Sequence, residues 1–289
     1  KKETTKPVQS DYNKLVGRDT MAIKGLMGVI QKENDYYLEI PKALIGREIL
    51  VSNKLLQVPQ ELNEAGVNKG INYENKTIKF EWEKGLNKLN IREQRLTPEV
   101  YSFYAMAPSV KDNYINPLIA SLKIEGVSKD SASVVVKVTN LFNGKDECLN
   151  DVFNLINLGT SANSELSRIL SMKAFDNNVA ATSELTTVVH EGKSKTNITI
   201  VVSTSLILLP SRPMMGRLEN QRVGYFTTSR LHYGDNQPEV ATKNYITRWR
   251  LEPKDTAAYM RGELVEPVKP IEFYIDYAVP ANILPRSEE

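Results

Sequence analysis

Residues 75–85 read NKTIKFEWEKG, and this alternation constrains the fold more than any other feature of the chain. With a side-chain period of two, Ile78, Phe80 and Trp82 share one face and Lys79, Glu81 and Glu83 the other. That pattern predicts an antiparallel strand with one face on a core and one in water. Such a strand cannot bury its face alone, so it demands partners. Tyr36, Leu38 and Ile40 line one face of YYLEI, Pro41 opens a short helical turn that Gly46 closes, and REILVSN is extended again. Residues up to 60 thus read as strand, turn, strand, short helix, strand. SLKIEGVSKDSASVVVKVTNLF holds two strand-like runs around a turn signal at Gly126 to Asp130, and a second pair flanks EGKSKT at 191–196. Helical signals are short: a region around Asn150 to Leu158, and DTAAYMRG, where Asp255 can cap and Gly262 can terminate. No fixed-period repeat is present. The expected fold class is α+β, mainly antiparallel β-sheet with a few short helices.

A chain of 289 residues can remove roughly 75% of its unfolded surface from water. Its 41% hydrophobic and 25% charged residues are those of an ordinary globular protein. Thirty-seven basic and thirty-five acidic residues leave a net charge of +2 with the signs interspersed, a poor footprint for nucleic acid or an anionic membrane surface. Lys1, Lys2 and Lys6 lie with Glu3 and Asp11 in a polar N-terminal tail, residues 1–20. The longest apolar run, Ile198 to Leu209, is interrupted by Thr and Ser and too short for a membrane span. The single cysteine, Cys148, excludes an internal disulfide, and its acidic neighbours Asp146 and Glu147 disfavour a reactive thiolate.

A reaction centre does not emerge from the residues. His190 is followed by Glu191, but the second histidine that a zinc-protease helix needs is Ser194, and Gly192 and Lys193 look like a hairpin turn. His232 lies in the turn-like LHYGD, where a surface or hydrogen-bonded histidine is the expectation, since no nucleophile motif accompanies it. Glu81 and Glu83 share a strand face but belong to a solvated row. No Walker loop or Gly-x-Gly-x-x-Gly fingerprint occurs. No catalytic, cofactor-binding or metal-binding residue is predicted in this chain.

YITRWRLEPKD, Tyr245 to Asp255, sets Trp249 between two arginines. As a strand it places Tyr245, Thr247, Trp249 and Leu251 on one face and Ile246, Arg248, Arg250 and Glu252 on the other. Trp249 is then expected to anchor a core or an interface, and the arginines to pair with carboxylates, Glu252 among them. After Gly262, ELVEPVKP reads as an extended connector, and IEFYID alternates once more with Ile271, Phe273 and Ile275 on one face.

Five segments carry a family resemblance: YYLEIPKALIGREIL (36–50), KDSASVVVKVTNLF (129–142), LLPSRPMMGRLENQRVGYF (208–226), YITRWRLEPKD and YMRGELVEPVKPIEFYID (259–276). With them the chain resembles the non-catalytic N-terminal region, made of domains of unknown function, of bacterial secreted zinc-dependent metalloproteases of the metzincin-like type. Gly216 departs from that pattern, which has Pro there. The resemblance implies a secreted, periplasmic or cell-surface protein in which zinc belongs to a downstream His-Glu-x-x-His domain that is the partner of this region. It also implies that 271–276 is the first strand of that domain. The expected organisation is a tail (1–20), a small β-rich subdomain (21–60), a main β-rich domain (61–262) and a linker with a strand of the next domain (263–289). The region would serve as scaffold, prodomain or docking module, with Arg248, Trp249, Arg250, Glu252 and Tyr225 as interdomain contacts. The competing reading is an independent cell-surface module for a peptide or glycan. An exposed aromatic row favours that module, and burial of Trp82 and Trp249 weighs against it.

Overall fold

A computed structural model describes residues 12–15, 21–128, 130–144, 148–153, 156, 161–191, 194–234, 239–275 and 279–280. Its strands are β1 (Met21–Ile23), β2 (Gly28–Lys32), β3 (Asp35–Pro41), β4 (Glu48–Gln57), β5 (Asn72–Glu83), β6 (Lys88–Gln94), β7 (Glu99–Val100), β8 (Leu118–Val127), β9 (Ser133–Lys137), β10 (Arg168–Ala174), β11 (Asn178–Glu191), β12 (Ser194–Leu208), β13 (Thr227–Tyr233) and β14 (Ala241–Ile246). The helices are α1 (Tyr12–Leu15), α2 (Gln60–Glu64), α3 (Ala107–Asp112) and α4 (Thr256–Met260). The fold is α+β, mainly antiparallel β-sheet with short helices. Apart from α1, the polar tail lies outside the described residues, as do the turn residues Gly192 and Lys193.

The chain divides into two units, Lys1–Thr97 with Pro108–Pro213, and Pro98–Ala107 with Met214–Glu289. Unit 1 is one sheet of eleven strands in the order β1-β2-β3-β9-β8-β6-β5-β4-β12-β11-β10. Its alternation becomes burial: Ile78 and Phe80 of β5 and Tyr36, Leu38 and Ile40 of β3 point inward. The two expected hairpins form, β8–β9 with Val127 opposite Val134 and β11–β12 with Val188 opposite Asn197. The expected helical turn after Pro41 is a 3-10 turn at Lys42–Leu44, ended by Gly46 at φ +80°.

The division does not fall at residues 60 and 262. Strands β1 to β4, expected to stand apart as 21–60, are built into the large sheet because β3 pairs with β9 and β4 with both β5 and β12. Pairings between distant segments, which no local pattern announces, decide this. The sheet also curls until its ends meet: the Leu26 N–H, just before β2, donates to the Phe175 carbonyl just after β10 at 2.7 Å. Gly25 makes that approach possible, since a Cβ there would lie 2.7 Å from the same carbonyl oxygen.

Inside unit 1 two apolar clusters are separated by a buried polar belt. Along β4, Ile49 and Val51 belong to the larger cluster and Leu55 to the smaller, with buried Asn53 between. Along β11, Val179 and Ala181 are divided from Leu185 by buried Ser183 in the same way. The belt clamps a segment that plugs the interior. Asn53 Nδ2 donates to the Leu149 carbonyl at 2.9 Å, Asn150 Nδ2 and Ser183 Oγ to the Phe142 carbonyl at 2.9 and 2.5 Å, and the Gly144 N–H to Asn150 Oδ1 at 3.3 Å. The Asn150 amide and the Ser183 hydroxyl are thereby satisfied, Asn53 Oδ1 is left without a partner among the described residues, and Phe142, Val152 and Phe153 reach full burial. The helix expected around Asn150 to Leu158 is not formed over 150–153, and 154, 155, 157 and 158 lie outside the described residues. Asn150 spends its side chain on backbone of the plug instead. Cys148 is buried there, and burial pushes its thiol up to about 11.

Unit 2 is built on a sheet of three strands in the order β14-β13-β7, with β13–β14 antiparallel and β13–β7 parallel. Residues 217–219 run along β14 on its other side: the Glu219 N–H donates to the Asn244 carbonyl and the Ile246 N–H to the Arg217 carbonyl, both at 2.9 Å. The expected cap and stop of DTAAYMRG form α4, with Ala258 N–H on Asp255 Oδ1 at 2.9 Å and Gly262 at φ +86°.

Candidate functional site

Tyr245 to Asp255 is a strand only at its start, because β14 ends at Ile246. The Thr247 N–H still donates to the Phe226 carbonyl at 2.7 Å, after which the segment leaves the ladder. Trp249, expected to anchor a core or an interface, is 64% exposed and joins neither apolar cluster of the described residues, which overturns the core alternative and follows from the strand ending three residues earlier. Arg250 pairs with Glu252 at 2.7 Å, as the shared face predicts, and Arg248 Nη2 donates to the Met215 carbonyl at 3.1 Å. Tyr225 is exposed beside Phe226, itself 91% exposed. The structure therefore brings together, on unit 2, residues 214–226, 245–255 and 259–275 of the segments that carry the resemblance, whereas 36–50 and 129–142 belong to unit 1. Residues 225–226 reach the level of 247–248 on one side, and 215–219 lie alongside on the other.

Gly216 sits at this junction. A Cβ there would lie 2.7 Å from Tyr245 Cδ1, so any side chain at 216, proline included, strikes that ring. The ring cannot swing freely, because Tyr245 Oη donates to Glu99 Oε2 at 2.8 Å.

Glu99 is the residue that the sequence does not single out. It comes from β7, 131 positions from Arg230 and 146 from Tyr245, yet it accepts from Arg230 Nη1 at 3.1 Å as well as from Tyr245. Burial pushes its carboxyl up, but hydrogen bonds from Tyr245 and Arg230 and the charges of Arg230 and Lys243 outweigh burial and hold it below the usual glutamate value. The same bond raises the Tyr245 hydroxyl, with burial adding to the shift. Just after Glu99, the aromatic-dense YSFYAM puts Tyr101 and Phe103 in a stack, 5.3 Å between centroids and 8° between planes. Tyr104 meets both edge-on. His232 lies edge-on to Tyr101 at 5.2 Å. It is buried, not at the surface as one of the two expectations had it, and its Nδ1 has no hydrogen-bond partner among the described residues; Asp235 of its motif lies outside those residues.

Other expected non-sites behave as solvated polar groups. Glu81 pairs with Arg92 at 3.0 Å, Glu83 accepts from Asn90 at 3.1 Å, and His190 is an exposed strand-end residue opposite Lys195. Among the described residues no group of His, Cys, Asp and Glu is arranged to hold a metal ion, and no helix is long and apolar enough to cross a membrane. A cleft of about 460 Å³ opens in unit 1 between the β2–β3 turn and the start of β10. Its charged walls are already committed, Asp35 to Lys137 and Thr139 and Arg168 to Glu184. In unit 2 a smaller groove of about 320 Å³ is lined by Leu251, Pro253, Tyr259, Val265 and Pro267, with Glu252 at its edge.

Residues 271–275, expected to begin a strand of the next domain, lie in no strand, and all five are exposed. Alternation alone does not make a strand where no neighbour supplies the ladder.

The family described as a domain of unknown function, DUF5117, matches residues 70–254, and a second such family, DUF5118, matches 9–58. The chain belongs to the DUF5117 family. No curated protein and no solved structure matches it.

Proposed function

We propose that this chain is the non-catalytic docking region of a secreted zinc-dependent metallopeptidase, covering and positioning a catalytic domain carried on the same polypeptide. One observation carries the reading: of the described residues of unit 2, only His232 and Ala258 are buried, while Met215, Phe226, Trp249, Met260, Leu264 and Phe273 stand in water. Exposed apolar surface on this scale marks an interaction site. The large aromatic and thioether side chains are those that anchor protein interfaces. The resemblance of 208–226, 245–255 and 259–276 to the segment leading into such catalytic domains supplies the partner. Arg250 and Glu252, already paired at the surface, would form the polar rim. Zinc would be held by the partner, and no step of its chemistry is assigned to residues of this chain.

The experiment is a titration of this chain into the separately produced catalytic domain, read by calorimetry and by peptidase activity. Saturable binding that is lost in Phe226→Ala with Trp249→Ala supports the reading. Absence of binding, with activity and melting temperature of the catalytic domain unchanged, sinks it.

A further inference from the structure

We infer that unit 2 also carries a saccharide-binding surface centred on Tyr101 and Phe103. Phe103 is 77% and Tyr101 49% exposed, although their rings are stacked at 5.3 Å. The stack is braced on both flanks, with Tyr104 against Phe103 at 4.7 Å and 69° and buried His232 against Tyr101 at 5.2 Å and 81°. Rings held in this way give up little side-chain freedom when a ligand arrives, so the surface is preorganised.

The groups around the rings select among ligands. Lys243 places its ammonium 5.6 Å from the Tyr101 centroid and makes no hydrogen bond or ion pair with the described residues. Glu99, two residues before Tyr101, offers a carboxylate whose oxygens each already take one donor and retain a further lone pair. Arg230 lies beyond it. An anionic ligand would meet Glu99, and a cationic one would meet Lys243 and Arg230. An apolar protein patch pressed over the rings would strip water from all three charges, which is costly unless each finds a partner. A neutral polyhydroxylated ring suits the whole arrangement. Its C–H face packs on the aromatic rings, and its hydroxyls donate to Glu99 while accepting from Lys243. Such contacts need no charge on the ligand and no closed pocket.

The test is native electrophoresis of the chain in gels containing a neutral polysaccharide, run separately with laminarin, glucomannan, xyloglucan, galactan and mannan. Retardation by at least one of them, weakened about tenfold in Phe103→Ala and in Lys243→Ala with the melting temperature held, is the expected result. Phe103 is so exposed that its truncation leaves the fold intact, and Lys243→Ala checks the polar edge independently. No retardation by any of the five, equal retardation of wild type and Phe103→Ala, or binding in calorimetry to a decaproline peptide alone would each overturn the inference. The catalytic domain is absent from these gels, so their outcome is independent of the docking reading, and failure to dock leaves the gel result in place.

Discussion

Unit 1 and unit 2 are made from the same kind of alternating strand, yet among the described residues only unit 1 has an extensive core. In unit 1 the eleven strands curl until β2 and β10 approach, and their inward apolar side chains pack into two clusters. In unit 2 three strands, two of six or seven residues and one of two, have no second layer among the described residues; Val100, Tyr245 and Ile246 are only half-buried and Leu231 is exposed. The difference teaches where stability and binding reside. Area removed from water stabilises unit 1. Area left in water on unit 2 is free energy available to a partner.

The most severe test removes a side chain from each. Phe142→Ala empties a fully buried site in unit 1 and should cost about 3–5 kcal/mol in a denaturant melt. Phe226→Ala in unit 2 should stay within about 0.5 kcal/mol of wild type. A comparable loss from Phe226→Ala would mean that unit 2 has a core after all, and the contrast would collapse.

Next in size are two changes that probe how each unit is fastened. Asn150→Ala deprives the Gly144 N–H of its acceptor and loosens the plug, at about 1–3 kcal/mol, with the apolar clusters untouched. Gly216→Ala drives a methyl into the Tyr245 ring in unit 2, at about 1–3 kcal/mol. Adding Tyr245→Ala to Gly216→Ala should recover part of that loss, because the obstacle is gone. If the double variant melts below Gly216→Ala alone, the close contact is not what makes glycine necessary there.

The fold class was legible because alternation is local: Ile78, Phe80 and Trp82, or Tyr36, Leu38 and Ile40, declare one wet and one dry face within a few residues. The capped helix after Asp255 and the 3-10 turn after Pro41 were legible for the same reason. What was not legible depends on distant partners. Nothing near Tyr36 announces that β3 will lie beside β9, and Asn150 looks like a helix start until the Phe142 carbonyl and Gly144 N–H claim its amide. Trp249 continues a clean alternation, but the ladder ends at Ile246, so its period has no sheet to act in. The residues expected as interdomain contacts lie, apart from Tyr225, in one continuous stretch of the sequence, whereas Glu99 carries no such local mark. Its partners are brought to it only by the parallel pairing of β7 with β13, and the sole local hint was the aromatic density of YSFYAM just after it.

The smallest effect concerns that same carboxylate. Its folded pKa lies below the usual value of 4.5, so its contribution is complete above 4.5 and is lost as the pH falls through the lower, folded value. The Tyr245 hydroxyl is shifted the other way, above 10.0, so its share is complete below 10.0 and fades only as the pH rises through the raised value. Between these limits the bond from Tyr245 to Glu99 contributes a constant amount, well under about 1 kcal/mol for a half-exposed cluster. Wild type and Glu99→Gln should therefore melt with a fixed small difference from neutral pH down to 4.5, and the two curves should converge in more acidic buffer. Added salt should narrow the gap at neutral pH, because Arg230 and Lys243 act partly through charge. The corresponding contact in unit 1, Asn53 on the Leu149 carbonyl, has no titrating member and is buried, so Asn53→Ala should cost the same at both pH values and in both salts. A difference between wild type and Glu99→Gln that persists unchanged into acid would show that the carboxylate is held by shape alone, and would bring unit 2 closer in kind to unit 1.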